Sequence, residues 1–424
     1  MRVVVLGAGF GGLELTTKLS EEFGDTADIV LIDREDGFVF GFSKIDVMFG
    51  RATEDAVFHR YAEITKPGVK VVQADITAID PAAKHVDTTE GGSDADVLVV
   101  ALGADVHPEA TPGLLDGGHE FYTRDSAFRL REVLENFQGG RVVIGVTSLP
   151  YKCPPAPSET ALLLHDFLTE RGRGDRSEIA LVTPQPAPIP PSPSTSAALL
   201  AAFAGRGISF HPNRALKSVD PARQVALFDD DTEMPYDLLL AIPVHRAPAV
   251  VAESALAVDG WVPVNPMTLE TSFPGVFAIG DVTSLGTPKA GVFAERQGEA
   301  AAERIAALLR SQAETAEYDG KGLCYLQMGG DQVARGERAV HPGRRAARRR
   351  HLRRADDPAG RRQGGVRAQP CPPLVRQGVD HLRRTEARVT GQSRVRPAWL
   401  PAGTRSVRTS CGSRRGGSSR GRGR

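Results

Sequence analysis

Residues 1–33 read MRVVVLGAGFGGLELTTKLSEEFGDTADIVLID, and this stretch decides the fold. Residues 2–6 are a largely apolar run, 7–12 are glycine-rich, 13–23 repeat apolar positions at helical spacing and stop at Gly24, and 28–32 form a second apolar run. Strand, glycine turn, helix and strand make a βαβ unit. In Gly7-Ala8-Gly9-Phe10-Gly11-Gly12 the first glycine permits the tight turn, Gly9 lets the main chain approach a pyrophosphate, and Gly12 lets helix pack closely on strand. The helix N-terminus then offers aligned N–H donors to the phosphates. Asp33 follows about 20 residues on, at the end of the second strand, where a carboxylate accepts hydrogen bonds from a ribose. A hexamer of this kind is weak alone; placed between a strand and a helix, with an acid following, it predicts a dinucleotide site.

The chain beyond repeats the alternation. Strands are predicted at 69–73, 97–102, 141–146, 178–183, 238–242 and 276–279, with helices at about 125–137, 158–171, 195–206 and 290–311. Such alternation implies parallel sheets covered by helices, an α/β class. Thr271-Ser272-Phe273-Pro274-Gly275-Val276-Phe277-Ala278-Ile279-Gly280-Asp281 resembles the second FAD motif of the two-dinucleotide-binding-domain flavoproteins. DVLVVALGAD at 96–105, with Gly103, resembles the strand by which that family returns to its FAD domain. The resemblance implies FAD as cofactor, with Gly280 and Asp281 at the ribitol. It also implies a helix beginning near Lys289 whose N-terminus, with that lysine, stabilises negative charge on the flavin. Two Rossmann-like domains are expected, the FAD domain being split: 1–110 and 251–312, with 111–250 between them as the second domain. Residues 313–335 are expected to begin a C-terminal interface segment, and 336–424 to be an Arg-rich, out-of-frame, disordered tail.

Members of that family that use NADH carry a second glycine loop after the strand near residue 141. Here Val146-Thr147-Ser148-Leu149-Pro150-Tyr151-Lys152-Cys153-Pro154-Pro155-Ala156-Pro157 takes its place, and the next strand ends in Thr183-Pro184 with no ribose-binding acid, so no NAD(P)H site is expected. Cys153 precedes a helix and neighbours Lys152, two features that depress a thiol pKa; Glu159, in the first helical turn, is placed to handle a proton. Tyr151 to Glu159 resembles the cysteine motif of the sulfide:quinone oxidoreductases and of the flavin subunit of flavocytochrome c sulfide dehydrogenase, and the resemblance extends over about 1–335. Ile242-Pro243-Val244-His245-Arg246-Ala247-Pro248 and Gly320-Lys321-Gly322-Leu323-Cys324-Tyr325 belong to it; His245 itself reads as a loop histidine. It implies that Cys153 and Cys324 lie beside the flavin and carry sulfur, with Glu159 nearby. The expected activity takes electrons from sulfide or a small thiol through this cysteine pair to FAD and on to a quinone. The alternatives are a type II NADH:quinone dehydrogenase-like flavoprotein, and an inactive FAD-binding product with a damaged C-terminus.

Composition sets the remaining bounds. At 424 residues, 41% apolar and 25% charged, the chain is of ordinary globular type. The start lacks the pattern of a signal peptide and no apolar run reaches the length of a membrane span, so a cytoplasmic chain is expected, peripheral on the inner membrane face at most. Four cysteines at irregular spacing, Cys153, Cys324, Cys371 and Cys411, match neither a disulfide scaffold nor a zinc site, and no metal is expected. The formal charge of +0 hides a split: from Arg338 onward there are 24 arginines, four acidic residues and no lysine. A nucleic-acid-binding tail has such a composition, but so does GC-rich DNA read out of frame. Shifting the degenerate codons by one base permits VNVQFIP from Gly336, an amphipathic helix followed by WFGKEWTT from His351 onward, and a stop at Leu382. A frame change near Arg335 or Gly336 is therefore expected, no nucleic-acid partner is, and the in-frame terminus would suit a membrane interface. Oligomeric state is left open.

Overall fold

The computed structural model describes residues 1–313, 316–330 and 332–339. In chain order its main elements are β1 (Arg2–Leu6), α1 (Phe10–Phe23), β2 (Asp28–Asp33), α2 (Gly41–Met48), β3 (Val69–Gln73), β4 (Val97–Val100), β5 (His119–Glu120), α3 (Arg124–Asn136), β6 (Gly140–Val146) and α4 (Ala156–Glu170). They continue with β7 (Ser177–Val182), α5 (Pro193–Ala204), β8 (Ser209–His211), β9 (Leu238–Ile242), β10 (Val276–Ala278), α6 (Gly291–Leu309), β11 (Lys321–Gly329) and β12 (Gln332–Ala339).

Two five-stranded parallel sheets organise these elements. The first runs β10-β4-β1-β2-β3, so a strand from residue 276 onward completes a sheet begun at residue 2. The second runs β5-β9-β6-β7-β8. The central strands β4 and β9, VLVV and LLLAI, are buried along their whole length, as expected where both sheet faces are covered. In β1, Val3 and Val5 join one apolar cluster while Val4 and Leu6 join another on the opposite face. In β6, Val142 and Ile144 separate in the same way from Val143. Two small antiparallel sheets, 76–94 and 216–235, are inserted in loops; they carry little continuous apolar pattern, and periodicity did not predict them.

β11 and β12 form an antiparallel hairpin with Cys324 opposite Gly336 and Lys321 opposite Ala339. The paired backbone thus continues past Arg335, where ordered packing was expected to end; strand pairing draws on main-chain groups and does not need an apolar side-chain pattern. The remainder of the Arg-rich segment, with Cys371 and Cys411, lies outside the described residues. Among the described residues no helix is long and apolar enough to cross a membrane.

Glycines set the tightest approach. A Cβ at Gly12 would lie 1.9 Å from the Gly7 carbonyl oxygen, and one at Gly298 of α6 would lie 2.5 Å from that of Gly11. Both are main-chain atoms that cannot step aside, so α1 and α6 pack with their backbones near contact. Gly298→Ala is expected to destabilise the protein by about 1–3 kcal/mol through overpacking, seen as a lower midpoint in thermal unfolding of the FAD-loaded protein. An unchanged midpoint would show that the helices separate without cost.

Candidate active site

Between the two sheets lies a cavity of about 990 Å³, at the upper end for a ligand site. The glycine loop forms one wall. Gly7, at φ +100°, turns the chain where a side chain would strike Ala101. Gly9 is the N-cap of α1, has no side-chain cap, and a Cβ there would meet open space. The first N–H groups of α1 are thereby left available to an anion. Asp33 braces this loop: its Oδ2 accepts from the Ala8 N–H at 2.6 Å and its Oδ1 from the Glu35 N–H at 2.9 Å. Burial raises its pKa, while those backbone donors pull the other way. Gly7, Gly9, Gly11, Asp33, Gly103, Gly280 and Asp281 all border the same cavity; Gly12 instead packs beneath the loop. A loop that a Cβ would fill, exposed helix N–H groups and a carboxylate at the second strand suit a dinucleotide.

The segment after β10 supplies the opposite wall. Gly280, at φ +78°, donates its N–H to Gln297 Oε1 at 2.7 Å, and Asp281 follows at the cavity edge. Burial raises the Asp281 pKa against the pull of Lys152 and Lys289. The first residues of α6, Gly291 and Val292, also face the cavity. Lys289 does not. Its ammonium donates to the carbonyls of Asp281 and Thr283 and lies 3.5 Å from the Trp261 ring centre, tying together the turn that presents Asp281. Burial lowers its pKa to about 8. Its own carbonyl accepts the Cys153 N–H at 2.6 Å, which joins the two halves of the site.

Both described cysteines are free and border the cavity. Cys153 sits at φ +55°, a strained backbone for a residue with a side chain, one turn before α4. Burial pushes its thiol well above the ordinary range, with Glu159 and Cys324 adding to the rise. The depressed thiol expected from Lys152 is not found, because Lys152 turns away and donates to the Ala104 carbonyl at 2.9 Å. The cation that does favour a Cys153 thiolate is Lys44 on α2, a cavity residue whose ammonium donates to the Tyr122 carbonyl and whose pKa burial lowers to about 8. No sequence motif marks Lys44; only the folding of α2 over the cavity brings it there. Burial also raises the Cys324 thiol, to about 11, and Glu159 again contributes.

Glu159 does not border the cavity. It is fully buried behind the two thiols, its Oε1 accepts the Gln327 N–H of β11 at 2.8 Å, and its Oε2 is unpartnered. Burial lifts its pKa to about 8. The structure therefore brings Cys153, Cys324 and the glycine motifs to one cavity, sets Glu159 in the layer beneath, and gives Lys289 a structural task. His245 is buried with Nδ1 2.8 Å from the Pro243 carbonyl, and burial depresses its pKa to about 3. It forms an aromatic edge with Tyr122, a cavity residue, without itself lining the cavity.

Comparison with known proteins gives the family and the fold. The family described as pyridine nucleotide-disulphide oxidoreductase matches residues 1–298. The mitochondrial sulfide:quinone oxidoreductase of Mus musculus is 25% identical over 348 residues, covering 78% of this chain and 76% of that protein. A type II NADH:quinone oxidoreductase of Staphylococcus haemolyticus is 34% identical over 137 residues, only 32% of this chain and 34% of its own length. Among solved structures, the sulfide:quinone oxidoreductase of Aquifex aeolicus superposes with a TM-score of 0.69 at 22% identity, covering 79% of this chain and 86% of that one, a likeness of fold.

Glu159 gives the site a pH signature. Its pKa rises from 4.5 to about 8 on folding, so between those values the folded protein holds a proton that the unfolded chain releases, and stability falls as pH rises. Glu159→Gln keeps an acceptor for Gln327 but cannot ionise. From pH 5 to pH 8 the variant should lose less stability than the wild type, by a margin on the order of a few kcal/mol in denaturant titrations. Glu14 and Glu295, whose pKa values burial also raises, titrate in both proteins and drop out of the comparison. Parallel pH profiles would show that Glu159 ionises normally in the fold.

Proposed function

We propose, for a chain that belongs to the pyridine nucleotide-disulphide oxidoreductase family and is a flavin-dependent oxidoreductase, that it moves electrons from sulfide or a small thiol to a quinone through Cys153, Cys324 and FAD. The observation that carries this reading is the arrival of two free thiols, distant in sequence, at the wall of the cavity that holds both nucleotide motifs. FAD, when bound, accepts two electrons and passes them on. Residues 1–110 and 251–312 would form its domain, divided in sequence, with 111–250 presenting the thiols and 313–335 opening the C-terminal interface segment. Support for this division comes from β10 completing the sheet of β1.

In the proposed reaction hydrogen sulfide and a quinone give one sulfane sulfur, retained on a cysteine, and a quinol; the two electrons and two protons lost by sulfide are those the quinone gains. Lys44 favours the Cys153 thiolate; thiolate and hydrosulfide together would give the Cys153 persulfide and two electrons, which FAD, when bound, would take up for the quinone. The unpartnered Glu159 Oε2 receives the thiol proton, its pKa of about 8 matching a proton exchanged near neutrality. The quinone approaches past Leu323, Tyr325 and Val333 of the hairpin, which line the cavity. We further propose that the chain is cytoplasmic and meets the inner membrane face there, the in-frame form of the terminus providing the contact.

The NADH-dependent alternative is disfavoured by the β6–α4 loop. Where a pyrophosphate would sit it carries Pro154 and Pro155 and leads into a helix with Pro157 in its first turn, and proline has no N–H to donate.

Anaerobic mixing separates the readings. Sulfide should bleach the flavin absorbance of the purified yellow protein and NADH should not, whereas bleaching by NADH alone would reverse the assignment. Cys153→Ser and Cys324→Ser should each retain FAD and lose sulfide bleaching by about 100-fold or more, since a hydroxyl forms no persulfide. If both variants bleach at the wild-type rate, the thiols are structural. Asp281→Ala and Gly9→Val should lose FAD, the first by removing a ribitol contact and the second by placing side-chain bulk where the pyrophosphate approaches. Full flavin content in both would remove the dinucleotide assignment.

A further inference from the structure

α4 begins beside Cys153, and two of its carboxylates reach the strand that carries the other thiol. Glu159 Oε1 accepts the Gln327 N–H at 2.8 Å, and two helical turns on, Asp166 Oδ2 accepts the Gly330 N–H at 2.6 Å. Positions seven apart lie on one helix face, so α4 holds the hairpin at two points, one within β11 and one just past its end. Asp166 is itself held: Arg206 Nε donates to its Oδ1 at 3.4 Å and His165 Nδ1 is 3.4 Å from the same oxygen, leaving the carboxylate side chain 18% exposed. Gly329 completes the contact. It sits at φ +76°, and a Cβ there would lie 2.3 Å from Asp166 Oδ2 and 3.0 Å from Arg206 Nη2.

The held stretch is the irregular one. The β11–β12 pairing shifts register between Gln327 and Gly329, between the two anchor points. Side chains along β11 alternate, so that Leu326 and Met328 are buried in the cluster around α4 and Cys324 packs against that same cluster. In a strand a slip of one residue turns every side chain to the other face, so whatever holds the backbone beside this irregularity also decides which way Cys324 faces.

We infer that Asp166, working with Gly329, is a positioning residue that fixes the register of β11 and so the approach of Cys324 to Cys153. Asp166 does not border the cavity and touches neither thiol. It acts through the backbone of Gly330. The consequence for turnover rests on the two-thiol reading of the site; the consequence for thiol proximity does not.

The test uses the full-length, FAD-loaded protein and dibromobimane, which becomes fluorescent when it bridges two thiols, with peptide mapping to assign the bridge. The wild type should bridge Cys153 to Cys324. In Asp166→Ala and in Gly329→Ala, which pushes the strand from the opposite side, bridging should slow by about tenfold or more, since displacements near 1 Å carry effects of that size or larger. Single alkylation of each thiol by iodoacetamide should persist. Asp166→Asn, whose amide oxygen can still accept from Gly330, should stay within about twofold of the wild type. Sulfide-dependent kcat should follow bridging while KM for quinone stays fixed. If Asp166→Ala does not fold, Gly329→Ala decides alone. A wild type that does not bridge, or folded variants that bridge at its rate, overturns the inference. A wild type that bridges but never reacts with sulfide, with variants that lose bridging, instead overturns the proposed function and leaves the positioning role standing.

Discussion

The carbonyl oxygen of Gly7 occupies the space that a side chain at residue 12 would need, only 1.9 Å from where its Cβ would lie. That approach presses the first turn of α1 against the end of β1 and aims the N–H groups of the loop at the cavity. It is passed outward by Gly11, whose carbonyl lies against Gly298 and draws α6 onto α1. With α6 fixed, its N-terminus opens at the cavity, and Lys289, two residues before the helix, offers its carbonyl to the Cys153 N–H. The nucleophile of the second domain is therefore located, through three main-chain contacts, by a glycine near the start of the chain.

Charge around the cavity is arranged to be nearly silent. Lys44 and Lys152 are half-buried and each donates to a backbone carbonyl, while Asp281 lies within reach of the fields of Lys152 and Lys289. Burial opposes ionisation in all of them, raising the acid and lowering the amines. Such groups respond strongly to a charge brought between them, because the low-dielectric surroundings that disfavour an isolated ion also magnify each pairing. Glu159, one layer deeper, raises the pKa of both cavity thiols, and Cys324 adds to the rise at Cys153.

Much of the fold was legible because its signals are local. The runs at 69–73 and 238–242 are strands with those bounds, and helix ends fall within a few residues of where glycine, proline and periodicity placed them. Gly9 and Asp33 could be read because spacing along one βαβ unit fixes their relation in space. What was not legible depends on elements meeting across the molecule. Lys44 lies in a helix without motif, and Asp166 is one of three acids on α4 until β11 docks against it. Lys152 and Lys289 were visible as cations, yet the sequence could not say that carbonyls at Ala104, Asp281 and Thr283 would claim them. The expectation of a low Cys153 pKa failed first because burial raises the thiol, and further because Lys152, its neighbour along the chain, gives its ammonium to the Ala104 carbonyl.

The two sheets show how one architecture is turned from holding phosphate to presenting a thiol. In each, a central strand runs through a turn into a helix whose N-terminus faces the cavity: β1 into α1, and β6 into α4. At α1 the N-cap is Gly9 and the first turn has no acid, so main-chain N–H groups and the positive end of the helix stand open to an anion. At α4 the N-cap is Pro155, Pro157 takes a place in the first turn, and Glu159 lies there with its carboxyl buried. Prolines delete donors at the positions where a phosphate would look for them. The length freed from cradling a ligand is used to lift Cys153 into a strained conformation at the cavity wall, and the helix that follows is free to carry Glu159 and Asp166 outward to the strand bearing the second thiol.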